Sequence, residues 1–106
     1  MKIYRGTRNS EGGSIVSVDG HPLDPNPSLR LWNHSPDGFN WGYGGSGPAQ
    51  LALAILLDVY ADPVRAVRHH QAFKWDVIAG LSNQWEISEV EVRLWMNQPD
   101  RQKKGD

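Results

Sequence analysis

Residues 48–60 read PAQLALAILLDVY, and this stretch decides the fold. Leu51, Ala52, Leu53, Ala54, Ile55, Leu56, Leu57 and Val59 point to every side of a helical wheel, so a helix here has no polar face to offer water and must be surrounded. Its six large aliphatic residues contribute on the order of 9–18 kcal/mol if fully buried, an upper bound because the unfolded chain is not fully extended. A chain of 106 residues has length for one such core and too little for two.

C-terminal to this helix, Asp62-Pro63 supplies an N-cap followed by proline at the first helical position, opening a second helix to about Leu81. Ala66, His70, Phe73, Val77 and Leu81 lie on one side of it. Ser88-Glu89-Val90-Glu91 matches a capping box, with Ile87 placed to staple onto Val92, and predicts a third helix over about Glu89 to Asn97 that Pro99 stops. Asp100 to Asp106 reads as a charged, disordered tail.

N-terminal to the buried helix the composition changes: 9 of the 11 Gly and 5 of the 7 Pro fall in the first 48 residues. Lys2 to Arg8 alternates Ile3, Arg5 and Thr7 with Tyr4 and Gly6, and Ser14 to Val18 is rich in β-branched residues, so the two read as a hairpin. Asp19-Gly20 suits a tight turn into a short third strand at His21-Pro22-Leu23, which Pro22 confines to an edge. Pro25 and Pro27 favour an extended path, and the alternation of Leu29 and Leu31 with Arg30 and Trp32 suggests a further strand. The expected fold is α+β: a small N-terminal antiparallel β-hairpin or three-stranded sheet packed on a three-helix C-terminal part, a single domain over residues 1–99.

A formal charge of −1 gives no field able to hold bulk nucleic acid by its backbone. With no Cys there are no disulfides, thiolate zinc sites or cysteine nucleophiles. The opening residues lack the apolar region of a signal peptide, and the apolar run Leu51 to Leu57 is far short of the roughly 20 residues that span a bilayer. A cytoplasmic protein without a membrane partner is expected.

The densest signal is HSPDGFNWGYGGSGPAQ, residues 34–50. Gly42, Gly44 and Gly47 have G-x-G-x-x-G spacing and run directly into a helix, an arrangement that lets backbone amides approach a phosphate. The dinucleotide-binding context fails because the helix leads into another helix rather than a parallel strand, and no Lys-Ser or Lys-Thr pair completes a phosphate loop. What remains is a glycine nest flanked by Trp41 and Tyr43 as stacking platforms, with phosphate against the amides of Gly44, Gly45, Ser46 and Gly47. His34, Ser35, Asp37, Asn40 and Gln50 add polar groups able to converge. The glycines equally serve to let the loop pack tightly over the core and turn into the helix.

A helix N-terminus contributes at most about 2 kcal/mol to an anion, whereas micromolar affinity needs about 8 kcal/mol. A site therefore needs an aromatic platform, at about 1–3 kcal/mol per base, and a cation. Arg5, Arg8, Arg30 and Lys74 are the candidates, while Asp37 suits ribose hydroxyls or its own turn.

Catalytic readings are weaker, and no catalytic residue, metal ligand or cofactor is assigned. Pro48 replaces the glycine that a nucleophile elbow around Ser46 would need, and His34, Ser35 and Asp37 are too close in sequence to align as a triad. His69 and His70 stand about 100° apart on a helix, unlike an i, i+4 metal pair.

The segment from His34 to Leu57, with Gln71-Ala72-Phe73-Lys74-Trp75, Tyr4-Arg5-Gly6 and Val18-Asp19-Gly20-His21-Pro22-Leu23, resembles a family of small bacterial and phage proteins of uncharacterised function. The resemblance covers nearly all but the charged tail and brings no established activity. It implies a stand-alone domain carried on mobile elements and a role in phage–host conflict, and small phage proteins that sequester nucleotide immune signals offer an analogy of size and setting. The functional expectation is non-catalytic sequestration of a small nucleotide-derived ligand, with two chains closing one pocket as a homo-oligomer. A protein-interaction module that uses exposed Trp residues as anchors is the alternative, and a hydrolase of nucleotide ligands the third reading.

Overall fold

The alternation of Tyr4 and Gly6 against Arg5 and Thr7 becomes strand β1 (Ile3–Arg8) in the computed structural model, which describes residues 1–99. The tail expected over 100–106 lies outside the described residues. A turn tied by Asn9, whose Oδ1 accepts from the amides of Glu11 and Gly13, returns the chain into β2 (Ser14–Val18). Asp19 and Gly20, both at positive φ (51° and 83°), then form the tight turn into β3 (His21–Pro22). Pro22 sits on an edge strand, as its missing N–H requires.

A fourth strand, β4 (Gln84–Ser88), pairs with the other edge of β1, giving an antiparallel sheet of order β3-β2-β1-β4. The register places Tyr4 between Val18 and Ile87, and Gly6 between Val16 and Trp85. These side chains make the inner face of the sheet. A Cβ on Gly6 would fall inside the indole of Trp85, so only glycine lets that ring lie flat on β1. The indole N–H of Trp85 is buried without a hydrogen-bond acceptor among the described residues, and the ring stands edge-on to Trp41 at 5.6 Å.

Helices α1 (Asn26–Leu31), α2 (Ser46–Tyr60), α3 (Pro63–Asp76) and α4 (Glu89–Met96) complete an α+β fold. Eleven of the fifteen residues of α2 are buried, so the helix that is apolar all round is indeed enclosed, with α3, α1 and α4 against it. The Asp62 carboxylate caps α3 by accepting from the Arg65 amide at 3.1 Å. Ser88 and Glu91 form both bonds of the capping box at α4.

Three expectations are corrected. The strand expected near Leu29 to Trp32 is the helix α1, because Pro25 and Pro27 occupy helix-start positions that suit their fixed φ and Asp24 accepts from the Asn26 amide. The second helix ends at Asp76 rather than Leu81, and a 3-10 turn over Ile78–Gly80 follows, held by the Gly42 amide donating to Ile78 O. The sheet has a fourth strand, contributed by the C-terminal part, beyond the two or three expected, and the short α1 precedes the three helices expected there. No helix among the described residues is long and apolar enough to cross a membrane.

Candidate functional site

Between α1 and α2 the chain runs through residues 32–45, and a buried glutamine fixes its course. The Gln50 carbonyl accepts from the amides of His34 (2.7 Å) and Ser35 (3.1 Å), while its NH₂ donates to Ser28 Oγ at 3.0 Å. Gln50 and Ser35 thus hold the loop rather than face a ligand, and the Ser35 hydroxyl donates to Gly38 O. The loop so held carries His34 to α3, where its Nε2 lies 2.9 Å from Nε2 of His70. His70 Nδ1 donates to Val67 O at 2.6 Å, since a carbonyl only accepts. Neutral His70 therefore accepts at Nε2, and His34 donates to it. Trp32 stacks on His34 at 4.6 Å and meets His70 edge-on at 5.4 Å. Burial pushes the pKa of both imidazoles down, aided for His34 by His70 and Lys74 and for His70 by Lys74, while the Val67 contact opposes the shift at His70.

The glycines beyond this point serve close packing. A Cβ on Gly44 would enter the Trp75 ring, one on Gly45 the Tyr43 ring, and one on Gly47 would stand 2.7 Å from Asn40 Cβ. Gly42 alone of the three in the G-x-G-x-x-G spacing needs its positive φ, +87°. Packing is not their only consequence, because α2 begins on Gly45 as N-cap with no side-chain capping bond, and Ser46 remains exposed. Pro48 has no N–H, which leaves the amides of Ser46 and Gly47 as the free donors of the first turn.

Lys74, one helical turn beyond His70, reaches this end of α2 with its ammonium 3.4 Å from Gly44 O and 4.4 Å from the Trp75 ring centroid. The residue is only 7 % exposed, and among the described residues no carboxylate pairs with it. Tyr43 (49 % exposed) and Trp75 (63 %) flank the same helix end.

The structure thus brings together His34, Tyr43, Gly44, Gly45, Ser46 and Lys74. It disperses the others. Trp41, expected as a stacking platform, is fully buried: its indole donates to Ser82 O at 2.8 Å and the Arg8 guanidinium covers it at 4.6 Å. Arg5 points to the solvent face of the sheet and pairs with Glu86 at 3.0 Å, because the strand alternation sets it opposite Tyr4 and Gly6. Gly47 stays in the first turn beside Ser46 but is buried against Asn40, while Asp37 lines a separate cleft of about 280 Å³ with Ser14, Leu23 and Phe39. Trp32, His70 and Trp75 join the site without having been read as part of it. The i, i+4 spacing of His70 and Lys74 was the available signal for one face of α3.

A profile for a family of unknown function, DUF6166, matches residues 4–98. The chain belongs to that family. No curated protein and no solved structure matches it. The match to DUF6166 runs from the second residue of β1 to just beyond α4, so the loop, Lys74 and the imidazole pair all lie within the family region.

Proposed function

We propose that this DUF6166 chain binds a small anionic ligand of the nucleotide class at the N-terminus of α2 and holds it without chemical change. One observation carries the reading: the Lys74 ammonium is held against Gly44 O and the Trp75 ring with no carboxylate partner among the described residues, beside the uncapped first turn of α2. An ammonium that no carboxylate neutralises attracts an anion to this helix end, where the anion also accepts from the amides. Tyr43 and Trp75 supply exposed ring faces for a base.

The magnitudes set what to expect. The helix end offers up to about 2 kcal/mol, a charge-assisted bond from Lys74 about 1.5–3 kcal/mol, and each ring about 1–3 kcal/mol. Against the costs of association these give weak binding by one chain. A second chain closing over the ligand raises the affinity, and sequestration of a nucleotide signal by a small phage-carried cytoplasmic protein is a setting that suits such a binder.

Titration calorimetry and native mass spectrometry against ADP-ribose, linear and cyclic nucleotides, and inorganic phosphate test the proposal. Expected is a saturable adduct that Lys74→Gln weakens about tenfold or more, with the nucleotide recovered unchanged. Absence of an adduct with every member, or equal binding by the variant, overturns it; a cleaved nucleotide would favour a hydrolase.

The exposure of Trp32 (48 %), Tyr43 and Trp75 on this side also favours a protein-docking reading, in which the rings are anchors. Replacing Trp32 and Trp75 by Ala then abolishes capture of a host protein, whereas Lys74→Gln does not.

A further inference from the structure

At the C-terminal end of α2 lies a cleft of about 520 Å³ between β2, the segment from Pro22 to Ser28, and the last turns of the helix. We infer that this cleft is a second ligand site, for a small organic amine with an apolar body. Val18, Leu23, Ala54 and Leu57 give it apolar walls, and its polar side chains include two carboxylates, Asp24 and Asp58, with no Lys or Arg in the lining. That volume falls within the range of small-molecule sites, and the mixture of apolar wall with a few convergent polar groups is their usual chemistry.

The charge of the cleft is set by three things. Asp58 Oδ2 accepts from Tyr4 Oη at 2.6 Å and from Lys2 Nζ at 3.1 Å, and among the described residues Oδ1 accepts no bond. Burial and the neighbouring carboxylate push the Tyr4 phenol far above its ordinary pKa, so it stays a donor to Asp58. Asp24 is exposed at the rim. Outside the lining, Lys2 donates to both Oδ2 and the backbone carbonyl of Asp58, and Arg93 donates to Val59 O at 3.4 Å, so the last carbonyls of α2 are met by cations while Asp24 is not. One carboxylate is thus partly balanced and the other is not. An ammonium entering beside Oδ1 meets an acceptor, while its hydrocarbon part covers Val18, Leu23 and Leu57.

The test uses the full chain, ¹⁵N-labelled, titrated with 2-phenylethylamine, 2-phenylethanol and 3-phenylpropanoate. The amine is expected to shift the amide resonances of Leu23, Leu57 and Ala61 saturably, the alcohol to bind about tenfold more weakly, and the carboxylate to leave them unmoved. Ala54→Phe, which fills the cleft, is expected to abolish the response. Should that variant fail to fold, Asp24→Lys, at an exposed position, reverses the rim charge and is expected to weaken the amine about tenfold. Equal binding of amine and alcohol, shifts confined to other residues, or an unchanged amine response in the folded Ala54→Phe or the Asp24→Lys protein overturns the inference.

Discussion

His34 and His70 show how one contact between two ordinary side chains makes the protein sensitive to pH. Their 2.9 Å contact accommodates a single shared proton between the facing nitrogens, and burial disfavours charge on either ring. Because both folded-state values lie below the ordinary imidazole value of 6.5, the unfolded chain takes up protons first as the pH falls. Stability from this pair is therefore complete above about pH 6.5 and drains away below it, through the lowered folded values. Thermal unfolding at pH 7.5, 6 and 5 should show a falling midpoint, with a shallower fall in His70→Gln. A wild-type midpoint independent of pH across this interval would be inconsistent with a buried neutral His70 paired with a neutral, half-buried His34. At this same scale the sequence is an uneven guide. Tyr43, Gly44, Gly45 and Ser46 were legible as one cluster at the start of α2 because they are consecutive, whereas Trp41, two residues away from Tyr43, was not separable from it: Arg8, Ser82 and Trp85, from distant parts of the chain, make its ring core.

Among the elements, those governed by local chemistry were readable in advance and those governed by partners were not. The apolar circumference of α2, the Asp62-Pro63 start of α3 and the Ser88 capping box all act within one or two turns. Strand β4 alternates Trp85 and Ile87 with Gln84 and Glu86, a usable signal that stood in the shadow of the capping box directly after it. The two prolines before Leu29 are compatible with an extended path and with a helix start, and in α1 they open a helix. Ser88 now carries two duties, ending β4 opposite Ile3 and capping α4, while the Glu89 amide donates to Lys2 O at 2.8 Å. Ser88→Ala is expected to cost about 1 kcal/mol in unfolding free energy, measured by urea denaturation, through loss of the bond to the Glu91 amide. A change indistinguishable from zero would mean that the strand pairing alone fixes this junction.

For the whole molecule, the strand order makes β1 the piece on which everything else is assembled. It is hydrogen-bonded to β2 on one side and to β4 on the other, and its inward residues sit in the centre of the core. A chain truncated before Asn83 lacks β4 and α4 and leaves a row of unpaired backbone groups along β1. Such a fragment is expected to form oligomers or aggregates, visible by light scattering and size-exclusion chromatography, under conditions where the full chain gives one narrow species. A monodisperse, folded fragment would show that β4 is dispensable.

The same arrangement sets an order in time. Arg5 and Glu86, cross-strand partners, are separated by 81 residues, so on the ribosome one flank of β1 can close as soon as β2 has emerged and the other must wait for nearly the entire chain. During that interval the nascent protein exposes both an open strand edge and the part of the core that Trp85, Ile87 and Val92 complete. Its safety then depends on the speed of translation and on chaperones that shield β-edges.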